Sequence, residues 1–76
     1  MTQIKFKNGS GMIYKMFYCA DSKTLTVQFR KSDKYRYVYH GIPETIVSII
    51  KTADSAGKMF RETVLNTDVP FTKEAI

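Results

Sequence analysis

Residues 24–39 constrain the fold more than any other stretch, because they read as two alternating β-strands around a polar turn. One set of alternate positions is apolar or aromatic: Leu25, Val27, Phe29, Tyr35, Tyr37 and Tyr39. The other set is polar or cationic: Thr24, Thr26, Gln28, Arg30, Lys34 and Arg36. Successive side chains of a strand point to opposite faces of the sheet. The pattern therefore predicts a sheet with one packed face and one solvated, basic face.

The flanking segments extend this hairpin and then change period. Residues 12–19 are rich in aromatic and apolar side chains and predict a preceding strand, and residues 2–7 alternate like a short edge strand. Helical spacing of apolar residues then predicts two short helices, over residues 43–53 and 56–66, with Pro43 at the first helical position. We predict an α+β fold, in which an antiparallel meander of three to four strands is followed by two short helices packed on one face.

The length of 76 residues corresponds to one domain, and we interpret residues 1–76 in this way. Residues 1–11 are expected to be a lead-in strand and turn, and residues 67–76 a tail that frays. No run approaches the ~20 apolar residues of a membrane helix, and the first residues lack the apolar core of a signal peptide. Cys19 is the only cysteine, which is typical of a reducing compartment, so we expect a cytoplasmic location.

Positive charge is concentrated in the strand half of the chain. The formal net charge is +5, but residues 1–38 hold eight Lys and Arg against two Asp, a balance of +6, and residues 39–76 carry −1. Such asymmetry favours an anionic partner, either a nucleic acid or an acidic protein surface. An alternative that the charge alone leaves open is that it only keeps a small protein in solution.

Several residues of the predicted sheet are candidate nucleic-acid contacts. They are Lys15, Arg30, Lys34, Arg36 and Tyr39. Lysine and arginine contact phosphates, and bases stack on tyrosine or arginine planes. Tyr35 and Tyr37 share the core phase and are interpreted as packing under the helices, whereas Tyr39, near the strand end, is expected to be more open. The alternative for the cations is an ordinary solvated sheet face.

A weaker candidate lies at the start of the second helix, where Ser55, Gly57 and Lys58 are suited to hold an anion through backbone N–H groups and the lysine. A purely structural role for Ser55 and Gly57 is favoured over anion binding. Ser55 is then the N-cap of the helix, and Gly57 allows close approach of the helix to a strand.

Candidates for catalysis and metal binding are sparse. Cys19 and His40 are the only thiol and the only imidazole, too few for a zinc site, and no pattern places them together as a nucleophile and its base. The carboxylates are scattered over turns and helix starts. We therefore expect a non-enzyme with no catalytic residues, metal or cofactor.

These residues, in this order, resemble the KTSC domain, a family named for its occurrence at the C-terminus of some lysyl-tRNA synthetases and also found as short stand-alone proteins of bacteria and phages. The resemblance covers residues 10–66. It rests on Tyr18, Leu25-x-Val27-x-Phe29, Tyr35-x-Tyr37, Ile42-Pro43, Ala53-x-Ser55-x-Gly57 and Phe60. Phe17 stands where family members usually have glycine, and Arg61 where they often have asparagine. Attachment to a tRNA-charging enzyme implies contact with RNA, by association.

Two functions follow as hypotheses. The first is a small stand-alone binding module that contacts nucleic acid, RNA in particular, through the basic sheet face. The alternative is a phage- or mobile-element-encoded accessory or inhibitor protein that binds a host or defence complex. Its anchors would be exposed residues among Met12, Tyr14, Met16 and Tyr39. No membrane partner is expected, and a monomer and a homodimer formed by strand pairing are both compatible with the sequence.

Overall fold

Five antiparallel strands form one sheet, which a computed structural model describes for residues 1–32 and 34–76. The strands are β1 (Thr2–Gln3), β2 (Ile13–Cys19), β3 (Thr24–Phe29), β4 (Tyr35–Tyr39) and β5 (Phe71–Ala75), and they lie side by side in chain order. Between β4 and β5 the chain forms α1 (Glu44–Thr52), α2 (Ala56–Phe60) and a π-helical segment, Arg61–Leu65, that continues α2. The α+β class is confirmed, but the sheet has five strands rather than three to four.

The additional strand is β5, which forms from C-terminal residues without a clear sequence pattern. It pairs along the whole of β4, from Tyr39 opposite Phe71 to Tyr35 opposite Ala75. Backbone hydrogen bonds and the Phe71 ring, whose centroid lies 5.9 Å from that of Tyr37, hold it in place. The sequence has no local alternation of apolar and polar residues here that would predict either of these contacts.

The hydrophobic core lies between the helices and one face of the sheet. Leu25 and Val27 of β3 are fully buried, as the alternation in this strand predicts. From the helical side, Ile50 and Phe60 are fully buried against them. The helices therefore cover the aromatic and aliphatic face of the central hairpin.

The helix boundaries follow recognisable signals. Pro43 is the N-cap of α1 rather than its first helical residue, with extended backbone angles, and Glu44 lies in the first turn. Ser55 is the N-cap of α2, as predicted, and its Oγ accepts a hydrogen bond from the backbone N–H of Lys58 at 3.3 Å. None of the helices in the described ranges is long and apolar enough to span a membrane.

A buried tyrosine fastens the entry to α1 onto the sheet. The Tyr18 hydroxyl donates a hydrogen bond to the carbonyl oxygen of Ile42 at 2.7 Å. Burial, with a smaller contribution from Glu44, raises the pKa of the Tyr18 phenol above its usual value. The phenol therefore remains a neutral donor throughout the neutral pH range.

The connection between β3 and β4 was predicted as a turn over residues 31–34. The ladder between these strands pairs Leu25 with Tyr39 and Val27 with Tyr37. The predicted turn includes Asp33, which lies outside the described residues.

Candidate nucleic-acid interface

A β-bulge in β2 turns Tyr14 and Lys15 outward together. The register of the β2–β3 ladder shifts between Ile13 and Lys15. Ile13 and Met16 are consequently both buried, although strict alternation would place them on opposite faces. A bulge inserts one residue and redirects a side chain. The side chain of Tyr14 is redirected in this way, and the residue is 50% exposed.

The Tyr14 ring lies close to two cations. Lys15 Nζ is 5.3 Å from the ring centroid, and Arg30 Cζ is 5.7 Å from it. Both distances fall within the ~6 Å over which an aromatic ring attracts a cation. Arg30 Nε also donates a hydrogen bond to the carbonyl oxygen of Ser10 at 2.7 Å, which fixes the guanidinium beside the loop of residues 9–12.

Positive charge continues from this point along the loop and onto α2. Arg61 Nη2 lies 3.8 Å from the Sδ of Met12 in the loop. Lys31 and Arg61 line a cleft of about 470 Å³ on one side of the loop. Lys58 and Arg61 line a second cleft, of about 300 Å³, beside residues 9–12. This surface is termed the basic rim and consists of Tyr14, Lys15, Arg30, Lys31, Lys58 and Arg61.

Within the described residues, no carboxylate forms an ion pair with a cation of the basic rim. Across residues 1–32 and 34–76 there are two ion pairs, Lys7 with Asp54 at 3.5 Å and Arg36 with Glu74 at 3.0 Å. Neither pair uses a cation of the basic rim. Asp54 borders the second cleft, but its carboxylate faces Lys7. The rim therefore presents several positive charges to solvent.

Gly57 allows α2 to lie directly against the loop of residues 9–12. A Cβ added at Gly57 would lie 3.2 Å from Ser10 Oγ and 3.3 Å from Met12 Cβ. Ser10 Oγ is itself fixed, because it accepts hydrogen bonds from the backbone N–H groups of Met12, at 3.2 Å, and Ile13, at 3.0 Å. The close approach expected of Gly57 is present, although its neighbour is a loop rather than a strand. It brings Lys58 and Arg61 next to the residues that precede β2.

The start of α2 is therefore better described as a capped helix end that packs closely against a loop than as an anion-binding site. The Ser55 hydroxyl accepts a hydrogen bond from the backbone N–H of Lys58, and Gly57 is buried. These two residues are not available to form an anion site in the way that the sequence suggested. Lys58 is exposed and contributes its charge to the basic rim instead.

Arg30, Lys34 and Arg36 do not form one patch, which corrects the prediction of a basic sheet face. Arg36 Nε pairs with Glu74 of β5, whereas Arg30 turns the other way, toward the loop beside β2. Lys34 is exposed ahead of β4, where its carbonyl oxygen accepts a hydrogen bond from the N–H of Ile76 at 2.9 Å. The physical reason is β5, which supplies the carboxylate that occupies Arg36.

Tyr39 is inaccessible to a nucleic acid, contrary to the expectation that it would be open. It is 5% exposed, and its ring centroid lies 5.5 Å from that of Phe60 and 5.7 Å from that of Phe71. Burial, with a smaller effect of Tyr37, raises the pKa of Tyr39 to about 12. Tyr39 is covered because α2 and β5 both pack over this end of β4.

The sheet face opposite the helices is a groove of about 460 Å³ with a mixed lining. Phe17, Thr26 and Val38 contribute to it, and its charged residues include the pair Arg36 and Glu74. Of the five residues predicted to contact nucleic acid from the sheet, Lys15 and Arg30 lie on the basic rim.

Other candidate residues also differ from their expected roles. Among the proposed protein-binding anchors, Met16 is fully buried, Tyr39 is buried and Met12 is half-buried, which leaves Tyr14 exposed. Hydrogen bonds from Ser22 lower the pKa of the Cys19 thiol. His40 shares a hydrogen bond with Thr72. No group of three His, Cys, Asp or Glu side chains within the described residues is placed to hold a metal ion.

Comparisons with known proteins find a family model and a crystal structure that are similar to this chain. The model of the KTSC domain family matches residues 9–67, a range that contains the whole basic rim. The crystal structure of a KTSC domain protein from Yersinia pestis is similar to this chain, with a TM-score of 0.76 and 26% sequence identity. The similarity covers 96% of this chain and 99% of that one. No curated protein matches the chain.

Proposed function

The chain belongs to the KTSC domain family, and we propose that it is a non-enzymatic module that binds single-stranded RNA through the basic rim. The observation that carries the proposal is the half-exposed ring of Tyr14 next to Lys15 and Arg30, on a surface that continues to Lys31 and Arg61. A base can stack on an exposed aromatic ring while the adjacent phosphates meet lysine and arginine.

A single strand suits this surface better than a duplex. Stacking on Tyr14 requires the face of an unpaired base, and a duplex buries its base faces within the stack. The rim cations lie on a loop, a strand end and a short helix, so they fit a flexible backbone that follows an irregular path. Recognition through stacking and charge predicts weak sequence preference.

The alternative function, a phage- or mobile-element-encoded inhibitor of a host or defence complex, depended on exposed anchor residues. Three of its four anchors are buried or half-buried, and the remaining one, Tyr14, lies among cations. RNA binding is therefore the better-supported function for this surface.

Tyr14→Ala is expected to weaken the binding of single-stranded RNA by about tenfold, since stacking on an aromatic side chain contributes ~1–3 kcal/mol per base. Tyr14→Phe keeps the ring and should bind nearly as well as the original chain. The fold should tolerate both changes, because Tyr14 lies at a bulge outside the core. Fluorescence anisotropy of a labelled single-stranded RNA at low salt measures the affinities.

Tyr35→Ala is the matched control. Contrary to the expectation that Tyr35 packs under the helices, it is 39% exposed. It lies on β4, outside the basic rim, with Lys73 Nζ 4.2 Å from its ring centroid. Its loss should leave the affinity unchanged. The proposal fails if no RNA binds at low salt, or if Tyr35→Ala and Tyr14→Ala weaken binding equally.

A further inference from the structure

The two edges of the sheet differ in how they are protected. β1 contains only two residues, and very short edge strands discourage the pairing of a foreign strand. β5 contains five residues and is the last strand of the sheet, paired with β4 alone within the described residues. The outer side of β5 is therefore the longer open edge.

Hydrogen bonds next to the β4–β5 ladder show which backbone groups of β5 face inward. The N–H of His40 donates to the carbonyl oxygen of Pro70, and the N–H of Ile76 donates to the carbonyl oxygen of Lys34, both at 2.9 Å. Both bonds fit the antiparallel register of β4 with β5, which has no shift. Backbone groups alternate in direction along a strand, so the even-numbered residues of β5 bond to β4.

The odd-numbered residues of β5 consequently present their backbone groups to the outside. These residues are Phe71, Lys73 and Ala75. Their N–H and C=O groups form a row of donors and acceptors that can pair with one more strand.

A largely apolar cleft, whose lining also includes Asp68, lies beside this edge on the helical side of the sheet. Phe71 is 57% exposed and Leu65 is 43% exposed, and both line a cleft of about 490 Å³ together with Pro70. Phe71 and Lys73 are paired opposite Tyr39 and Tyr37, so their side chains also point to the helical side. Alternate side chains of an added strand would therefore lie beside Phe71 and the cleft.

Lys73 determines which strand fits. Two copies of β5 could pair in an antiparallel arrangement through Phe71, Lys73 and Ala75 of each copy. This register would place the two Lys73 residues directly opposite each other, and opposed like charges destabilise a strand pair. A lysine on an edge strand therefore disfavours a second copy of this chain. An acidic residue at that position of a different strand is complementary to Lys73, and apolar residues on either side of it match Phe71 and Ala75.

We propose that the outer edge of β5 binds an extended segment of another protein by strand addition, with a carboxylate opposite Lys73 and an aliphatic side chain beside Phe71 and Leu65. Backbone hydrogen bonds supply the affinity in this mode of binding, and alternate side chains supply the specificity. The site is separated from Tyr14 and Lys15 by β3 and β4, so it does not depend on RNA binding.

The test uses an acetylated and amidated peptide, Thr-Val-Thr-Glu-Thr-Val-Thr, titrated into ¹⁵N-labelled protein. Its Val, Glu and Val side chains alternate on one face, as the edge requires. The amide signals of Phe71, Lys73 and Ala75 are expected to shift in the NMR spectrum and their hydrogen exchange to slow. A peptide with Lys in place of Glu should bind roughly fivefold more weakly.

Lys73→Pro removes the outward N–H without removing a bond to β4, because edge strands accept proline where the N–H faces solvent. This variant should lose peptide binding. Lys73→Thr retains the N–H, so it should still bind but no longer distinguish the Glu peptide from the Lys peptide. The charge preference keeps the test decisive even if Lys73→Pro does not fold.

Other outcomes overturn the proposal. They are the absence of binding at millimolar peptide, shifts confined to the basic rim or to the groove opposite the helices, and equal affinity of both peptides for the original chain. Self-association through β5 in sedimentation experiments would identify a second copy as the occupant instead.

Discussion

Phe60→Ala is expected to lower the free energy of unfolding by about 3–5 kcal/mol. Phe60 is fully buried, and its ring centroid lies 5.9 Å from that of Phe29 and 5.5 Å from that of Tyr39. Removing the ring leaves a cavity between α2 and the sheet. A domain of this size has a total stability of about 4–11 kcal/mol, so the loss is a large fraction of it.

Urea unfolding followed by circular dichroism measures this loss. Leu65→Ala is the control, because this partly exposed residue of the π-helical segment should cost less than about 1 kcal/mol. Equal losses for the two variants would show that the core is not centred on Phe60. Phe60→Ala should also weaken RNA binding in proportion to the fraction of unfolded protein, because an unfolded chain does not form the basic rim.

The double variant Lys31→Glu, Lys58→Glu is expected to bind single-stranded RNA about 700-fold more weakly at low salt. Each substitution removes an attraction to phosphate and adds a repulsion, and a charge pair at 4 Å in water is worth about 1 kcal/mol. Both side chains are exposed and form no hydrogen bond or ion pair within residues 1–32 and 34–76. The fold should therefore be unchanged, which circular dichroism can verify.

A matched control reverses two charges that are not part of the basic rim. Lys23 lies in the turn between β2 and β3, at the opposite end of these strands from Tyr14, and Lys51 lies in the last turn of α1. The double variant Lys23→Glu, Lys51→Glu changes the net charge by the same amount and should weaken binding only a few-fold. If both double variants lose affinity equally, binding follows net charge and not the basic rim.

Local periodicity predicted the elements whose packing depends on it. The alternation of residues 24–39 matches β3 and β4, and the helix predicted over residues 43–53 is α1 over Glu44–Thr52. The second predicted helix, over residues 56–66, corresponds to α2 and the π-helical segment together. Most of the apolar residues that set these periods are buried or partly buried, whereas Tyr35 and Ile49 are exposed.

The bulge and the fifth strand were not predictable in the same way. β2 is apolar at both sets of alternate positions, so its sequence does not show that Ile13 and Met16 share a face. β5 pairs Glu74 with Arg36, and no local pattern reveals a contact between residues so far apart. The bulge exposes Tyr14, whereas β5 covers Tyr39 and pairs with Arg36 through Glu74. These two features explain why the candidate site differs from the predicted one.

The basic rim also depends on contacts between distant segments. Lys15, Arg30 and Lys58 were candidate residues from the sequence, but they were assigned to two separate sites. They meet because Gly57 lets α2 approach the loop of residues 9–12, which adds Arg61 to the surface. The buried glycine near the start of α2 was the sequence signal for close packing, but not for the segment that it packs against.

The dependence of RNA affinity on salt tests the basic rim most directly. Single strands give a logarithmic slope of about −0.7 per phosphate contact, so the cations Lys15, Arg30, Lys31, Lys58 and Arg61 predict a slope near −3.5 and a loss of about 100-fold between about 50 mM and about 200 mM salt. Lys31→Gln should reduce the slope by about 0.7, and Lys23→Gln should not change it. An affinity indifferent to salt, or the same reduction in both variants, would contradict the assignment of RNA binding to this surface.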